Sequence, residues 1–315
     1  MAYFRRVMAW LLFFAGLIAL FFITSRIFIP KDNTEEAGME HVRANGILAE
    51  PPDSIDILVM GDSESYNSYS PLLMWKETGY TSFTCGTDAQ KLTYTKTLLE
   101  RALEKQKPKV VILETLAIYR PIKLDNVVLE ELSSTFPVFR YHDRWKSLSP
   151  ADFTQPVTAT QTHPYKGHAH ITKVVPCDNK EYMHPTDKAA SIALVNQYYV
   201  KAIKELCDRH GAQLLLVSTP SPVNWSYERH NGIQKFADEL GCDYVDLNLE
   251  SLGIDWTKDT FDKGDHLNHF GSVKVTSFLA DYLRDRGGLT DHRTDPAYSG
   301  WDQALKDYEA QIPKK

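Results

Sequence analysis

Two short segments of the 315-residue chain combine residue types that could perform nucleophilic chemistry. In the first, Gly61-Asp62-Ser63 follows the apolar run 55–60, which predicts a buried strand. Parallel α/β sheets present reactive groups at the carboxyl ends of their strands, and Ser63 stands directly behind that strand end. Other serines compete for the same role: Ser65, Ser68 and Ser70. A serine hydroxyl is a weak nucleophile alone, so Ser63 would need an adjacent base and a third group that orients the base.

The second segment, 261–271, reads Phe-Asp-Lys-Gly-Asp-His-Leu-Asn-His-Phe-Gly and precedes the last predicted helix. His266 has the right unperturbed pKa for general-base catalysis near neutral pH. Asp262 or Asp265 could hold its Nδ1–H, and Asp262 is favoured because neighbouring side chains tend to diverge. His269 is a weaker candidate for the base.

Taken together, the two segments resemble the conserved blocks of the SGNH (GDSL) hydrolase superfamily, over about residues 50–285 apart from an insertion. The resemblance is closest to the membrane-anchored branch that includes the D-alanyl transfer protein of teichoic acids and the alginate O-acetyltransferases. It implies that Ser63 is the nucleophile and His266 the base. It also implies an oxyanion hole made by the backbone N–H groups of Ser63 and Gly86, a glycine that follows the second predicted strand.

The chain departs from the superfamily pattern in two ways. The aspartate usually lies three residues before the histidine, or two in the alginate branch, and here Lys263 and Gly264 occupy those positions. The superfamily also often takes a third oxyanion donor from a Gly-x-Asn-Asp block, whereas the third predicted strand runs into Glu114-Thr115. Loss of one such donor can reduce the rate by about 100- to 1,000-fold.

Three further residues are candidates for contact with a substrate. Glu114 ends an apolar strand at the reactive edge of the sheet, where it would contact substrate or, more in keeping with its position, brace the serine turn. Asn224 and Trp225 follow the fourth predicted strand and would form part of the cleft rim. Trp225 could stack on a sugar ring, although packing beneath its own loop is the commoner arrangement.

Alternating apolar runs and amphipathic segments predict an α/β fold: a three-layer sandwich with a mainly parallel five-stranded sheet, SGNH- or flavodoxin-like. The predicted strands cover 55–60, 80–84, 110–113, 214–217 and 244–246. Asp88 is a plausible cap for the helix after the second strand. A long helix is predicted from Thr186 to about His210, and the last helix from about Gly271.

The amino-terminal run from Val7 to Ser25 contains no charge and is long enough to cross a bilayer as a helix. Arg5 and Arg6 precede it, which favours a cytoplasmic amino terminus and an extracytoplasmic domain on a single-pass anchor. A cleaved signal peptide is the alternative. The predicted organisation is a tip and anchor over 1–29, a linker over 30–50, an SGNH-like domain over 51–287 with an insertion at about 120–187, and a polar, irregular tail over 288–315.

Composition excludes some classes of function. Lys and Arg total 35 against 41 Asp and Glu, so the chain lacks the basic excess typical of nucleic-acid binding. The four cysteines have no disulfide or metal spacing and are expected to be isolated buried hydrophobes. His163, His168 and His170 form a weak metal pattern, so we expect neither a metal nor another cofactor.

These observations predict a cell-envelope acyl-ester enzyme, either an O-acyltransferase or an esterase, that uses a Ser-His-Asp triad. By the resemblance, its substrates would be acylated glycans or polyol polymers, and transfer would require a membrane-bound acyl donor protein. The alternative is a non-catalytic SGNH-like component that binds within an envelope acylation complex.

Overall fold

In this computed structural model, which describes residues 1–178 and 181–312, the described part of the chain is built on a parallel sheet of five strands. The strands are β1 (Ile57–Gly61), β2 (Ser82–Gly86), β3 (Val110–Glu114), β4 (Gln213–Ser218) and β5 (Asp243–Asp246). Their order is β2-β1-β3-β4-β5, and every pairing is parallel. The order reverses beside β1, where open α/β sheets form their ligand crevice. The predicted α/β fold class is confirmed.

Helices connect the strands and cover both faces of the sheet. The α-helices are α1 (Ala2–Phe28), α2 (Val42–Asn45), α3 (Ser63–Ser68), α4 (Pro71–Thr78), α5 (Leu92–Leu103), α6 (Leu116–Tyr119), α7 (Leu124–Thr135), α8 (Val138–Tyr141), α9 (Pro150–Thr154), α10 (Leu194–Arg209), α11 (Tyr227–Leu240), α12 (His269–Arg286) and α13 (Ser299–Glu309). Short 3₁₀ helices cover Gly46–Ala49, His142–Lys146 and Pro296–Tyr298.

The sheet is buried on both faces because its strands are almost continuously apolar. Alternate residues of a strand point to opposite faces. Ile57 and Val59 of β1 belong to one core cluster with Val275, Leu279 and other residues of α12. The packing of β1 against α12 fixes the position of the carboxyl end of β1, after which Ser63 lies.

Two helix starts differ from the predictions. The helix predicted from Thr186 begins at Leu194, because the preceding segment is held extended against α11: Asn231 donates to the carbonyls of Thr186 and Lys188. Asp88 does not cap α5, which begins at Leu92 without a side-chain cap. Asp88 instead accepts a hydrogen bond from the Tyr66 hydroxyl.

The chain after residue 287 is not irregular throughout as predicted, because α13 forms there. Trp301, Leu305 and Tyr308 recur at helical spacing, and Trp301 and Tyr308 are buried. The Trp75 ring of α4 lies 5.5 Å from the Trp301 ring, which holds α13 against α4. These few apolar residues were too sparse to predict the helix against the polar background.

The chain divides into two units. The first comprises residues 1–42 and 123–161, and the second comprises residues 43–122 and the described residues from 162 onward. The second unit holds the sheet. Part of the predicted linker belongs to this unit, since Ala44 and Ile47 are buried in it. In the first unit α1 has a mean hydropathy of 2.5 and is long and apolar enough to cross a membrane, a property that signal sequences share.

Candidate active site

Ser63 is the first residue of α3, immediately after the turn that ends β1. Gly61 adopts φ +152°, and a Cβ there would lie 2.7 Å from the Glu114 Cβ, so only glycine fits this turn without displacement. The Asp62 carboxylate then caps α3 by accepting the Glu64 N–H at 3.0 Å. A sharp strand-to-helix turn therefore fixes the Ser63 backbone at the carboxyl edge of the sheet.

His266 lies opposite Ser63 on the loop that leads into α12. Its Nε2 is 2.8 Å from Ser63 Oγ, and its Nδ1 is 2.6 Å from Asp262 Oδ2. The Phe261 ring stacks on the imidazole at 5.7 Å and 14°. The imidazole is thus held in plane by a ring on its face and a partner at each nitrogen.

A left-handed turn decides which aspartate reaches the histidine. Lys263 and Gly264 have φ of +66° and +90°, and Thr260 Oγ1 accepts the Gly264 N–H at 2.8 Å. The turn brings Asp262 back beneath His266, whose own N–H donates to Asp262 Oδ1 at 2.7 Å. Asp262 therefore holds both the backbone and the ring of His266.

Asp265 takes a different place from Asp262. Its Oδ1 is 3.9 Å from His266 Nδ1 and accepts a hydrogen bond from Asn224 Nδ2 at 2.5 Å. Asn224 Nδ2 also donates to Glu64 Oε1 at 2.8 Å. Asp265 and Asn224 thus join the histidine loop to α3.

Charge around His266 favours its protonated form. Burial of the ring opposes the imidazolium, but the carboxylates of Asp262, Asp265 and Asp62 outweigh this and raise the pKa of His266 above its usual value. The hydrogen bond to Asp262 contributes most among the raising effects. An imidazole in this setting is a stronger base than a histidine side chain free in solution.

Arg120, a residue that the sequence prediction did not include, holds the carboxylate before Ser63. Its Nε and Nη2 both lie 2.6 Å from Asp62 Oδ2, and the Asp62 side chain is fully buried. Burial raises the pKa of Asp62, and the guanidinium charge opposes that rise. In the sequence, the only indication that Arg120 belongs to the site is its position after the third strand, at the reactive edge of the sheet.

A pair of buried carboxyl groups lies beneath the serine turn. Thr219 Oγ1 is 3.4 Å from Glu64 Oε2 and 3.3 Å from Glu114 Oε1. Burial and neighbouring carboxylates raise the pKa of both Glu64 and Glu114 well above the usual range. The single hydroxyl proton of Thr219 cannot be donated to both carboxylates, so the geometry fits a pair of carboxyl groups that shares a bound proton. Glu64 was also missed, although it adjoins Ser63 in sequence.

Glu114 is buried beside the serine turn. It is 2% exposed, its Oε2 accepts the Leu116 N–H at 3.0 Å, and its Cβ closes the space beside Gly61. Gly86 pairs in register with Gly61 at the end of β2. A Cβ on Gly86 would lie 2.9 Å from the Asp62 carbonyl and 2.3 Å from Ser65 Oγ, so Gly86 closely approaches the serine turn.

Two predicted residues lie where they cannot take the suggested roles. Trp225 is 5% exposed and its Nε1 donates to Asp246 Oδ2 at 3.0 Å, so its ring offers no face to a sugar. His269 is not an alternative base for Ser63. It is buried, and its Nδ1 pairs with the Tyr308 hydroxyl at 2.9 Å, because it lies on the first turn of α12 and points toward α13.

Three potential metal ligands lie within 4.8 Å of one another among the described residues: Glu64, Asp265 and His266. Both ring nitrogens of His266 already have partners in Asp262 and Ser63. Glu64 and Asp265 share Asn224 as their donor. This group is therefore part of the hydrogen-bond network around Ser63.

Known proteins were compared with the chain by sequence and by structure. No protein-family model matches the sequence, and no curated protein does. Solved structures similar to it include a lipase/acylhydrolase from Enterococcus faecalis, at 11% identity over 75% of this chain and 98% of that one, with a TM-score of 0.40. A psychrotrophic esterase from a Pseudoalteromonas species is 12% identical over 74% of this chain and 98% of the other, with a TM-score of 0.41. Similarities this low do not bear on the reaction.

Proposed function

We propose that this protein is a serine acyl-ester enzyme, an O-acyltransferase or esterase, in which Ser63 is the nucleophile. One observation carries the proposal: a continuous hydrogen-bonded chain joins Ser63 Oγ, the His266 imidazole and the Asp262 carboxylate at 2.8 and 2.6 Å. Nucleophilic serines are activated by this arrangement of base and orienting acid, on unrelated folds.

The proposed reaction has two acyl-transfer steps. Ser63 Oγ attacks an ester carbonyl while His266 Nε2 takes its proton, and Asp262 stabilises the resulting imidazolium. The backbone N–H groups of Ser63 and Gly86 bind the oxyanion. His266 then protonates the leaving alcohol, and the acyl-Ser63 ester remains. A second hydroxyl, from an acceptor or from water, gives its proton to His266 and attacks the acyl group, and His266 returns that proton to Ser63 Oγ as the bond between Ser63 and the acyl group breaks.

The proposed location follows from α1. A helix of 27 residues that is apolar throughout its central part would hold the catalytic unit at the outer face of a cell membrane. Envelope glycans and polyol polymers such as teichoic acids carry acyl esters at that surface. Acyl transfer to them would draw on a membrane-bound acyl donor protein, and hydrolysis would need no donor.

Labelling of the full-length protein in detergent by a fluorophosphonate tests the nucleophile. We expect the wild type to be labelled and to hydrolyse p-nitrophenyl acetate, and Ser63→Ala to lose both properties. Ser68→Ala is the matched control, because Ser68 lies on the same helix and its hydroxyl lacks a hydrogen-bond partner among the described residues. A wild type that resists the label under conditions where a known serine esterase reacts would refute catalysis and favour the binding alternative.

Product analysis separates transfer from hydrolysis. The labelled acyl group of an activated ester is followed in the presence of a polyol or a deacetylated glycan. Acyl groups that appear on the polymer and disappear with Ser63→Ala indicate a transferase. Free acid alone, unaffected by acceptor concentration, indicates an esterase.

A further inference from the structure

The structure points to a second membrane contact beside α1. The segment that carries it is the collar, defined as α7, α8, the 3₁₀ helix His142–Lys146 and α9, which belongs to the same unit as α1. We infer that the collar inserts its exposed apolar side chains among the acyl chains of the bilayer leaflet in which α1 ends. The inference rests on α1 being a membrane span, which is part of the proposed function.

The collar packs on the last turns of α1 at a depth that lies within the span. The Phe136 ring is 5.4 Å from that of Phe21 and 5.1 Å from that of Phe22, and the Phe139 ring is 5.2 Å from that of Phe21. The segment from Val7 to Arg26 is about 29 Å long at 1.5 Å per residue, close to the hydrocarbon thickness of a bilayer. Phe21 precedes Arg26 by five residues, so the rings that touch it lie about 7 Å inside the apolar layer.

Polar contacts fix the collar in this position. The Val138 N–H donates to Ser25 Oγ at 3.3 Å, and Arg144 Nη1 donates to the Phe28 carbonyl at 2.5 Å. The Arg144 bond satisfies a backbone carbonyl at the end of α1, where a helix otherwise leaves carbonyls unpaired. The collar therefore cannot move away from the end of α1 without the loss of several contacts.

Four charged side chains of the collar form two largely buried ion pairs, and its other Asp, Glu and Lys side chains are exposed. Arg140 and Glu130 form an ion pair of 2.6 Å with side chains 15% and 14% exposed. Arg144 and Asp152 form another of 2.8 Å with side chains 11% and 6% exposed. Paired and buried charges lower the cost of placing this segment near the bilayer.

Large apolar side chains of the collar also face outward. Leu124, Val128, Leu129 and Leu132 form one stripe along α7, with exposures of 79%, 48%, 56% and 38%. On the carboxyl-terminal side of α1, the described residues include twelve exposed large apolar side chains, and seven of them lie between 124 and 157. Trp145 is 62% exposed with Lys146 Nζ 5.3 Å from its ring, a pairing suited to the headgroup level. A patch of this kind beside a membrane helix fits acyl chains.

Spin-label accessibility in lipid vesicles tests the inference on the full chain. Single cysteines replace Leu129 and Phe153 of the collar, Ile18 of α1 and Tyr198 of α10, in a background with Cys242→Ser. Each nitroxide-labelled protein is reconstituted in phosphatidylcholine–phosphatidylglycerol vesicles, and its relaxation by oxygen and by a water-soluble nickel chelate is measured. We expect labels at 18, 129 and 153 to relax mainly with oxygen, and the exposed control at 198 mainly with nickel.

Each of the other outcomes contradicts a specific part of the inference. Nickel access at 129 and 153 with oxygen access at 18 would overturn the collar and leave the anchor intact. Nickel access at 18 as well would refute the span on which the inference rests. Labels at 129 and 153 that neither reagent reaches would show a protein contact, such as a second copy of the chain, in place of lipid. Thermal unfolding curves that match the wild type show that each labelled protein is folded.

Discussion

At the residue scale, the two aspartates beside His266 make different contacts. Asp262 binds both the ring and the backbone of His266, whereas Asp265 is bonded to Asn224 and lies 3.9 Å from the ring nitrogen. Sequence predicted Ser63 and His266 because each stands at an element boundary on the same sheet edge. It favoured Asp262 over Asp265 only on the general tendency of neighbouring side chains to diverge, whereas the contact depends on the left-handed turn at Lys263 and Gly264.

Substitution of the two aspartates should separate their roles. We expect Asp262→Asn to lower kcat/KM on p-nitrophenyl acetate by about 1,000- to 10,000-fold, because the imidazolium loses its stabilising carboxylate and its tautomer. Asp265→Asn should cost about tenfold or less, since it removes a more distant charge. A larger loss from Asp265→Asn than from Asp262→Asn would contradict this assignment.

The pH profile of the same variants follows from the raised pKa of His266. Only the neutral imidazole can take the serine proton, so activity should fall as pH decreases through a pKa above the ordinary histidine value of about 6.5. In Asp262→Asn the loss of the nearest carboxylate should move this acidic limb to lower pH. A limb that stays in place, measured by residual kcat/KM, would show that another group titrates.

At the element scale, the strands were predicted well because burial on both faces demands continuous apolar runs. The ends of helices were predicted less well, because long-range contacts set them: α10 begins late where Asn231 binds the preceding backbone. The helix α13 was missed because three apolar residues in a polar segment do not by themselves predict a buried helix. Their burial depends on contacts with Trp75 and with histidines distant in sequence.

Tyr308 of α13 should contribute strongly to stability. It is fully buried, its hydroxyl pairs with His269 Nδ1, and its ring lies 4.8 Å from that of His170. We expect Tyr308→Ala to lower the free energy of unfolding by about 3–5 kcal/mol. Tyr308→Phe, which removes only the hydroxyl, should cost about 1 kcal/mol.

Urea denaturation monitored by circular dichroism gives these values. The exposed Lys306 on the same helix offers a matched control, since Lys306→Ala should change stability by less than about 0.5 kcal/mol. If Tyr308→Ala unfolded at the wild-type urea concentration, α13 would not be an integral part of the sheet-containing unit.

At the scale of the whole molecule, buried histidines should make stability depend on pH. Burial lowers the pKa of His163 to about 4, of His168 to about 3 and of His269 to about 4. The unfolded chain binds protons at these residues near pH 6.5, where the folded chain does not. Above pH 6.5 these histidines are neutral in both states and do not oppose folding. As pH falls below 6.5 the unfolded chain takes up protons there, so the free energy of unfolding decreases. His266, with its raised pKa, acts in the opposite direction.

Unfolding of the full-length protein between pH 7.5 and 4.5 tests this dependence. We expect the wild type to lose stability over the range, with His168 contributing on the order of 2 kcal/mol. His168→Gln keeps a donor for the Tyr66 carbonyl but cannot titrate, so its stability should fall less steeply. A variant with the same slope as the wild type would exclude His168 as a source of the effect.

The four cysteines give the molecule a property that concerns its biogenesis. All are free, and three of them, Cys85, Cys177 and Cys207, are buried as small apolar side chains. No disulfide joins the described residues, in which packing, hydrogen bonds and ion pairs hold the fold. At the proposed location on the outer face of a membrane, a reducing habitat would leave these four thiols, and the packing around the buried ones, unchanged.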